Sequence, residues 1–350
     1  MPLTLTNLQR PEWNGFDTII DVRSPAEFAE DHIPGAISLP VLSDEERAKV
    51  GTIYTQDSPF VARKIGAALV ARNAASHIET SLMGYGGGWQ PLVYCWRGGQ
   101  RSGSFSVILK QIGWRSETIE GGYQAYRRLV VRRLYEESLG LRVLRLDGNT
   151  GTAKTDILKR LKTMGVQIID LEGLAGHRGS VLGDMPGGQP SQKAFESALC
   201  AEIATLDPAR PLLVEAESSR IGALRVPPAI WSAMKDAPCL TVSAPLPQRA
   251  EYLASAYSDI SDDTPKLAGL LGQLTKLVGH DVVQSWLVLL REGRLVDLAG
   301  ELMTRHYDPA YARARKRNGG GLIAEFETPS LDAPALDALA ERIAERVAQL

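Results

Sequence analysis

Along the first 138 residues, short apolar runs alternate with stretches of helical spacing. Thr18-Ile19-Ile20 reads as a strand ending at Asp21, and Pro25 to Ala29 as a short helix with Ser24 at its N-cap. Ala36 to Leu39 reads as a second strand, Phe60 to Asn73 repeats its apolar positions at helical spacing, and Pro91 to Tyr94 is a third strand. Ser102 to Ile112 reads as a helix. Thr118-Ile119-Glu120 leads into the turn Gly121-Gly122, and Tyr123 to Tyr135 closes the series as another helix.

A second series begins at Leu141. It predicts a strand over 142–146, a helix over about 154–164, a strand over 167–170, a helix over 190–206 and strands over 211–215 and 239–242. Beyond Gln248 the spacing is mainly helical to about Tyr311. Residues 332–350 form an amphipathic helix carrying Leu336, Leu339, Ile343 and Val347. Alternation of this kind predicts parallel α/β sheets, in two domains over 1–138 and 139–350.

The composition adds bounds. The chain has 350 residues, 44% of them hydrophobic and 23% charged, with a formal net charge of −2. Any nucleic-acid contact must therefore come from local patches. No apolar run is long enough to span a membrane, and the N-terminus lacks the basic start and apolar core of a signal peptide. Three widely spaced cysteines, Cys95, Cys200 and Cys239, argue for a reducing cytoplasm and against a disulfide framework or a zinc site.

Cys95 stands at the carboxyl end of a strand, where open α/β sheets place their ligands. The loop Trp96-Arg97-Gly98-Gly99-Gln100-Arg101 then enters a helix beginning at Ser102. Glycines let backbone N–H groups converge on an anion, and the helix dipole, Arg97 and Arg101 add positive potential. A field of that sign favours thiolate over thiol, so Cys95 is the candidate nucleophile. Cys200 and Cys239 lie in a helical stretch and a strand, without such a setting.

A second anion loop, Asp147 to Thr155, also follows a strand and opens a helix. Gly148, Lys154 and Thr155 fit GxxxxGK[ST], with Asn149, Thr150, Gly151 and Thr152 between them and Ala153 in place of the second glycine. A methyl group there crowds the phosphate or the backbone. That weighs against ordinary nucleoside triphosphate hydrolysis and leaves phosphate binding. Lys154 would contact phosphate oxygens and Thr155 a magnesium ion. Asp170 and Glu215 end later strands and are candidate metal carboxylates. His177 and Arg178 in a glycine-rich loop, and Glu217 and Arg220 past a strand end, are candidates for an anionic substrate. Arg305, Tyr307, Tyr311, Arg313, Arg315, Lys316 and Arg317 form a basic, aromatic patch of the kind that pairs with phosphates and stacks on unpaired bases.

The first half resembles a rhodanese domain. Asp21 to Phe28 and His32 to Ala36 match that family's upstream signatures, and Cys95 matches its persulfide-carrying cysteine. The loop departs from it: five residues separate Cys95 from Arg101, where sulfurtransferases have four. Cys-x5-Arg followed by Ser102 is also the phosphatase spacing. A sulfurtransferase or a Cys-based phosphatase with an attached nucleotide-binding regulator therefore stays open on spacing alone.

The fusion to a P-loop-like half resembles the tRNA 2-selenouridine synthases. The resemblance extends through Asp170 to Ser180, Gly188 to Glu196, Val214 to Gly222 and His306-Tyr307-Asp308-Pro309. It implies a transferase acting on the wobble uridine of tRNAs for Lys, Glu and Gln, bound at the anticodon region. Geranyl diphosphate would alkylate the 2-thio group, and selenium from selenophosphate would then displace the geranylthio group. Cys95 would carry selenium as a selenyl-sulfide. Arg97, Arg101 and the N–H groups of Gly98, Gly99, Gln100 and Ser102 would bind selenophosphate, and the loop from Gly148 to Thr155 would hold the prenyl diphosphate. The resemblance implies no tightly bound cofactor, magnesium through Thr155, and a selenophosphate synthetase as the supplying partner.

Overall fold

The computed structural model describes residues 2–8, 13, 15–180, 182–216, 218–257, 263–315 and 321–350. The chain divides into two compact units, one of residues 1–137 with 190–205 and one of residues 138–189 with 206–350.

The first unit is built on four parallel strands, β1 (Thr18–Asp21), β2 (Ile37–Ser38), β3 (Pro91–Tyr94) and β4 (Glu117–Thr118), in the order β2-β1-β3-β4. The chain runs from β1 to one edge and then returns to β3 on the other side. Strand order thus reverses between β1 and β3, the position where such sheets open a crevice. Every residue of β3 is buried, as its unbroken apolar run predicts. Ile20, Val93, Phe105 and Leu109 pack in the core beneath it.

The helix Asp44–Gln56 has no counterpart among the expected elements. None of its residues is buried, so it carries no apolar stripe. Its one signal is a capping box: Glu46 N donates to Ser43 Oγ at 3.1 Å, and Ser43 N donates to Glu46 Oε2 at 2.9 Å. The helix Gln192–Ala204 lies within the second series in the chain, which the sequence placed in the domain 139–350, but packs in the first unit. Its Glu196, 1% exposed, takes the Tyr135 hydroxyl at 2.5 Å and an ion pair from Arg127. Its Ser197 donates to Asp31 Oδ2 at 2.9 Å.

The second unit holds five parallel strands, β5 (Val143–Gly148), β6 (Gln167–Ile169), β7 (Leu212–Glu215), β10 (Cys239–Ser243) and β11 (Leu322–Glu327), in the order β11-β10-β5-β7-β6. A small antiparallel pair, β8 (Arg220–Ile221) and β9 (Leu224–Arg225), lies between β7 and β10 in the chain. Here the order reverses between β5 and β10. β11 was not expected either: it is an edge strand in which Phe326 alone is buried. The helices Lys154–Thr163 and Ala333–Ala348 pack together on the sheet through Ile157, Leu161, Leu336, Leu339 and Ile343. Helices between Leu246 and Arg315 enclose a separate apolar cluster around Trp286, which is fully buried. Among the described residues, no helix is long and apolar enough to cross a membrane.

Candidate active site

Cys95 directly follows β3, beside the reversal of the first sheet. It is 3% exposed, and Ser102 Oγ donates to its Sγ at 3.3 Å. Trp96, Arg97 and Gly98 are exposed, and Gly99 caps the helix Gln100–Ile112 in the left-handed region, at φ 73°. That turn, which glycine adopts without steric penalty, starts the helix five residues ahead of the buried Phe105 and directly after the cysteine loop.

The two arginines of the loop are not equivalent. Arg97 forms no hydrogen bond or ion pair with any described residue. Arg101 Nη1 donates to Glu27 Oε2 at 2.9 Å, and Arg47 Nε lies 3.0 Å from the same oxygen. Burial raises the Glu27 carboxyl, but the hydrogen bond and charge of Arg101, the Ser24 N–H and Arg47 outweigh it and hold the group below its usual range. Arg101 is therefore positioned by a carboxylate and would meet an anion through its remaining N–H groups. A cleft of about 820 Å³ opens alongside, lined by Arg47, Tyr54, Arg63, Gly66, Gln100 and Arg101.

The cysteine is held from behind. Tyr123 N donates to Cys95 O at 2.8 Å and Gln124 N to Trp96 O at 3.0 Å, at the start of the helix Gly122–Val131. Tyr123 also stacks on Trp96 and lies under the buried Arg23, whose guanidinium pairs with Asp21 at 2.6 Å. A Cβ on Gly122 would stand 2.3 Å from Cys95 O, and its φ is +55°. The sequence showed this glycine only as part of a turn. Gly122→Ala should cost about 1–3 kcal/mol and change the rate of Cys95 alkylation several-fold, because the loop backbone must move. Thermal melting and iodoacetamide labelling check it; wild-type values in both would remove Gly122 from the site.

The second loop leaves β5 beside the reversal of the second sheet and enters the helix Lys154–Thr163. Gly148 lies tight against β10: a Cβ there would stand 2.8 Å from Val242 O. Thr152 Oγ1 donates to Asn149 O at 2.9 Å, which closes the turn. Ala153 sits at φ 57°, ψ 30°, and is the one non-glycine residue at positive φ among those described. It takes the backbone conformation that its position in the motif assigns to glycine, at a steric cost of about 1–2 kcal/mol. Lys154 Nζ donates to Gly148 O at 2.9 Å and lies 5.4 Å from the Tyr311 ring.

One carboxylate meets the first turn of this helix, and two others hold the start of the short helix Leu171–Ala175 that carries it. Thr155 Oγ1 donates to Glu172 Oε2 at 3.3 Å, Asp170 Oδ1 caps its helix by accepting from Gly173 N at 2.7 Å, and Glu215 Oε2 accepts from Leu171 N at 3.0 Å. Among the described residues, no three His, Cys, Asp or Glu side chains are placed to hold a metal ion by themselves. Glu215 is fully buried. Burial first, then the charges of Asp170 and Glu172, push its carboxyl well above the usual range and favour the protonated form. The folded state therefore binds this proton more tightly than the unfolded chain, and its contribution to stability falls as pH rises above the ordinary glutamate value. Glu215→Gln cannot ionise. It should melt above wild type near pH 8, with the difference closing near about pH 4. A pH-independent difference would contradict this.

Other expected site residues are placed differently. His177 is 6% exposed, its Nδ1 accepts from Gly179 N at 3.1 Å, and it is packed against Gly183 and Gly222. It fastens the glycine-rich loop and does not face a substrate. Arg178 lies over the Tyr257 ring at 4.6 Å and donates to Asp184 O at 3.2 Å. Arg220 is exposed on β8. Tyr307 is 7% exposed in the cluster around Trp286, so its ring has no face open to stack on a base. Arg315 pairs with Asp147 at 2.6 Å, and that ion pair, overcoming burial, holds the Asp147 carboxyl below its usual range. Arg305 pairs with Glu301 at 2.6 Å on the surface, Tyr311 is half-buried, and Arg313 is exposed. Glu217, Lys316 and Arg317 lie outside the described residues.

The two folds and their loops define a rhodanese-like domain joined to a P-loop-type phosphate-binding domain. Residues 4–129 match the rhodanese-like domain family, and residues 141–272 match the family described as the tRNA 2-selenouridine synthase AAA domain. The tRNA 2-selenouridine synthase of Shewanella denitrificans is 32% identical over 334 residues, which cover 84% of this chain and 87% of that protein. Those of Bdellovibrio bacteriovorus and Aeromonas salmonicida are each 36% identical, over 68% of this chain and 64% of theirs. The match thus spans about two thirds of those two relatives' length and most of the first. The chain belongs to the tRNA 2-selenouridine synthase family.

Proposed function

We propose that this protein is a transferase that converts 2-thiouridine to 2-selenouridine at the wobble position of tRNAs for Lys, Glu and Gln. The observation that carries the reading is the presence in one chain of two glycine-containing loops, each at the reversal point of its own sheet, one opening with a cysteine and one ending in a lysine. In the first step the thiocarbonyl sulfur bonds to C1 of geranyl diphosphate and diphosphate leaves. In the second, the Cys95 thiolate adds to C2 of the base and geranylthiol leaves; the selenium of selenophosphate then displaces the thiolate from C2, and water cleaves the Se–P bond to release phosphate. Alkylation turns a poor leaving group into a better one.

A selenyl-sulfide on Cys95 would need a two-electron oxidant that neither donor supplies, so in this reading Cys95 is the nucleophile that opens C2 to selenium, Arg97 and the loop N–H groups receive selenophosphate, and Arg101 is steadied by Glu27. Lys154 neutralises the diphosphate. Thr155 and Glu172 are one hydroxyl and one carboxylate within hydrogen-bond reach. That donor set suits magnesium completed by the ligand's phosphate oxygens, where it would balance the departing charge. The exposed Arg305 and Arg313 are the cations through which tRNA would be held. The three cysteines are unpaired, which fits a reducing cytoplasm.

The test is nucleoside mass spectrometry on 2-thiouridine-containing tRNA incubated with the protein, geranyl diphosphate and selenophosphate. The expected product is 2-selenouridine with both donors and S-geranyl-2-thiouridine when selenophosphate is left out. Unmodified 2-thiouridine in both would sink the reading.

A further inference from the structure

The cleft beside the cysteine loop joins an apolar bed to a rim of cations. It lies between the helices Asp44–Gln56 and Pro59–His77 and the start of the helix Gln100–Ile112. Its volume of about 820 Å³ falls in the range of sites that hold whole ligands, about 300–1,000 Å³. The buried residues of its lining, Leu42, Ala62 and Val70, are apolar. Arg47, Arg63 and Arg101 bring three positive charges to it, while the acidic first turn of the helix Asp44–Gln56 is not in the lining. One carboxylate, Glu27, is shared by Arg47 and Arg101 and does not cancel that charge. The helix Pro59–His77 carries Arg63, Lys64 and Arg72 and no Asp or Glu, in a chain whose net charge is −2. Arg63 is exposed and forms no hydrogen bond or ion pair with any described residue. Tyr54, in the same lining, is 49% exposed, and its ring stacks on no described residue.

A small anion would use one or two of these groups and leave most of the cleft empty. A solvated helix face would account for the cations, but not for an apolar bed with an exposed aromatic beside it. Unpaired RNA uses all of them: its phosphates pair with arginines and its bases stack on aromatic rings and lie on apolar surface. Position then fixes which part of the RNA. The target base must reach Cys95, and the cleft runs up to Gln100 and Arg101 of the same loop. We infer that the cleft seats the unpaired nucleotides adjoining the target uridine, with Arg63 and Arg47 on their phosphates and Tyr54 on a neighbouring base. The inference rests on the reading that this chain acts on tRNA. It adds where the anticodon loop lies on the first unit and which residues hold it. It also gives a role to the helix Asp44–Gln56, which buries no residue and so contributes little to the core.

Titration of the full chain with a labelled anticodon stem-loop carrying 2-thiouridine, at a series of salt concentrations, tests this. Arg63→Ala should weaken binding several-fold and lower the slope of log affinity against log salt by about 0.7, the loss of one phosphate contact to a single strand. Tyr54→Ala should weaken binding at least about five-fold and leave the slope unchanged, because stacking is not an ionic contact. Arg115 precedes β4, at the end of the parallel sheet opposite Cys95, so Arg115→Ala should bind as wild type does. All three side chains are exposed, and wild-type melting temperatures would show each fold intact. Wild-type affinity and slope in both Arg63→Ala and Tyr54→Ala would overturn the inference. So would an equal loss in Arg115→Ala, which would leave only diffuse attraction. A polyglutamate peptide that binds wild type as tightly as the RNA would also overturn it and assign the cleft to an acidic protein. If wild type binds no stem-loop and forms no modified nucleoside, the tRNA reading itself fails. If it forms 2-selenouridine while both variants bind normally, that reading stands and the assignment of the cleft alone falls.

Discussion

Cys95→Ser should leave tRNA carrying S-geranyl-2-thiouridine and no 2-selenouridine. The substitution changes one atom, in a site where Ser102 Oγ and the N–H groups of Tyr123 and Gln124 hold the surroundings in place. It keeps the loop but removes the sulfur, and a serine hydroxyl is far from ionised at neutral pH and does not displace the geranylthio group. The geranylated nucleoside should accumulate because the alkylating step uses the other loop. Mass spectrometry of digested tRNA reads both nucleosides at once. Selenouridine formed by the variant at a wild-type rate would show that the thiol takes no part in the selenium step.

Lys154→Ala should lower geranyl transfer by about a hundred-fold or more, and with it all selenouridine formation from 2-thiouridine. Removing one positioned charge from the developing diphosphate is an electrostatic loss of the size seen when single transition-state donors are deleted, about 10²–10³ in rate. The fold should survive, because Lys154 is only partly buried at the first position of its helix, where alanine is a good helix former. Supplied with tRNA already carrying S-geranyl-2-thiouridine, the variant should complete the selenium step at a near wild-type rate. Failure there too would mean that the second loop serves both steps.

The parts of this architecture legible in the sequence were those whose signal is local. β3 and β5 are buried throughout and read as apolar runs, and each is followed by glycines and cations that no ordinary turn combines. Both loops and the parallel sheets could be recognised from that alone. The Asp44–Gln56 helix could not, since it buries no residue and shows only a capping box. β11 could not, as an edge strand with one buried side chain. The partner of Arg101 lies 74 residues away, and the Gly122 contact with Cys95 exists only between backbones. Tyr307 illustrates the opposite failure. An aromatic among arginines suggests stacking on a base, but the helices around Trp286 claim it for their core. Ala153 breaks the written motif yet keeps its geometry, because the surrounding loop imposes the left-handed turn that the motif's glycine would supply.

The helix at 192–204 has a consequence for how the chain is made. A ribosome that has released residues 1–137 has not yet released a complete first unit. Glu196 and Ser197, which answer Arg127, Tyr135 and Asp31, are still to come, behind the first strands of the second unit. Until they arrive, Arg127 lacks its carboxylate and Asp31 has the Tyr123 hydroxyl but not that of Ser197, so the first unit stays unfinished. The unit that holds Cys95 is thus completed only after the loop at 148–155 has been made, and a fragment cut at residue 138 would lack this helix permanently.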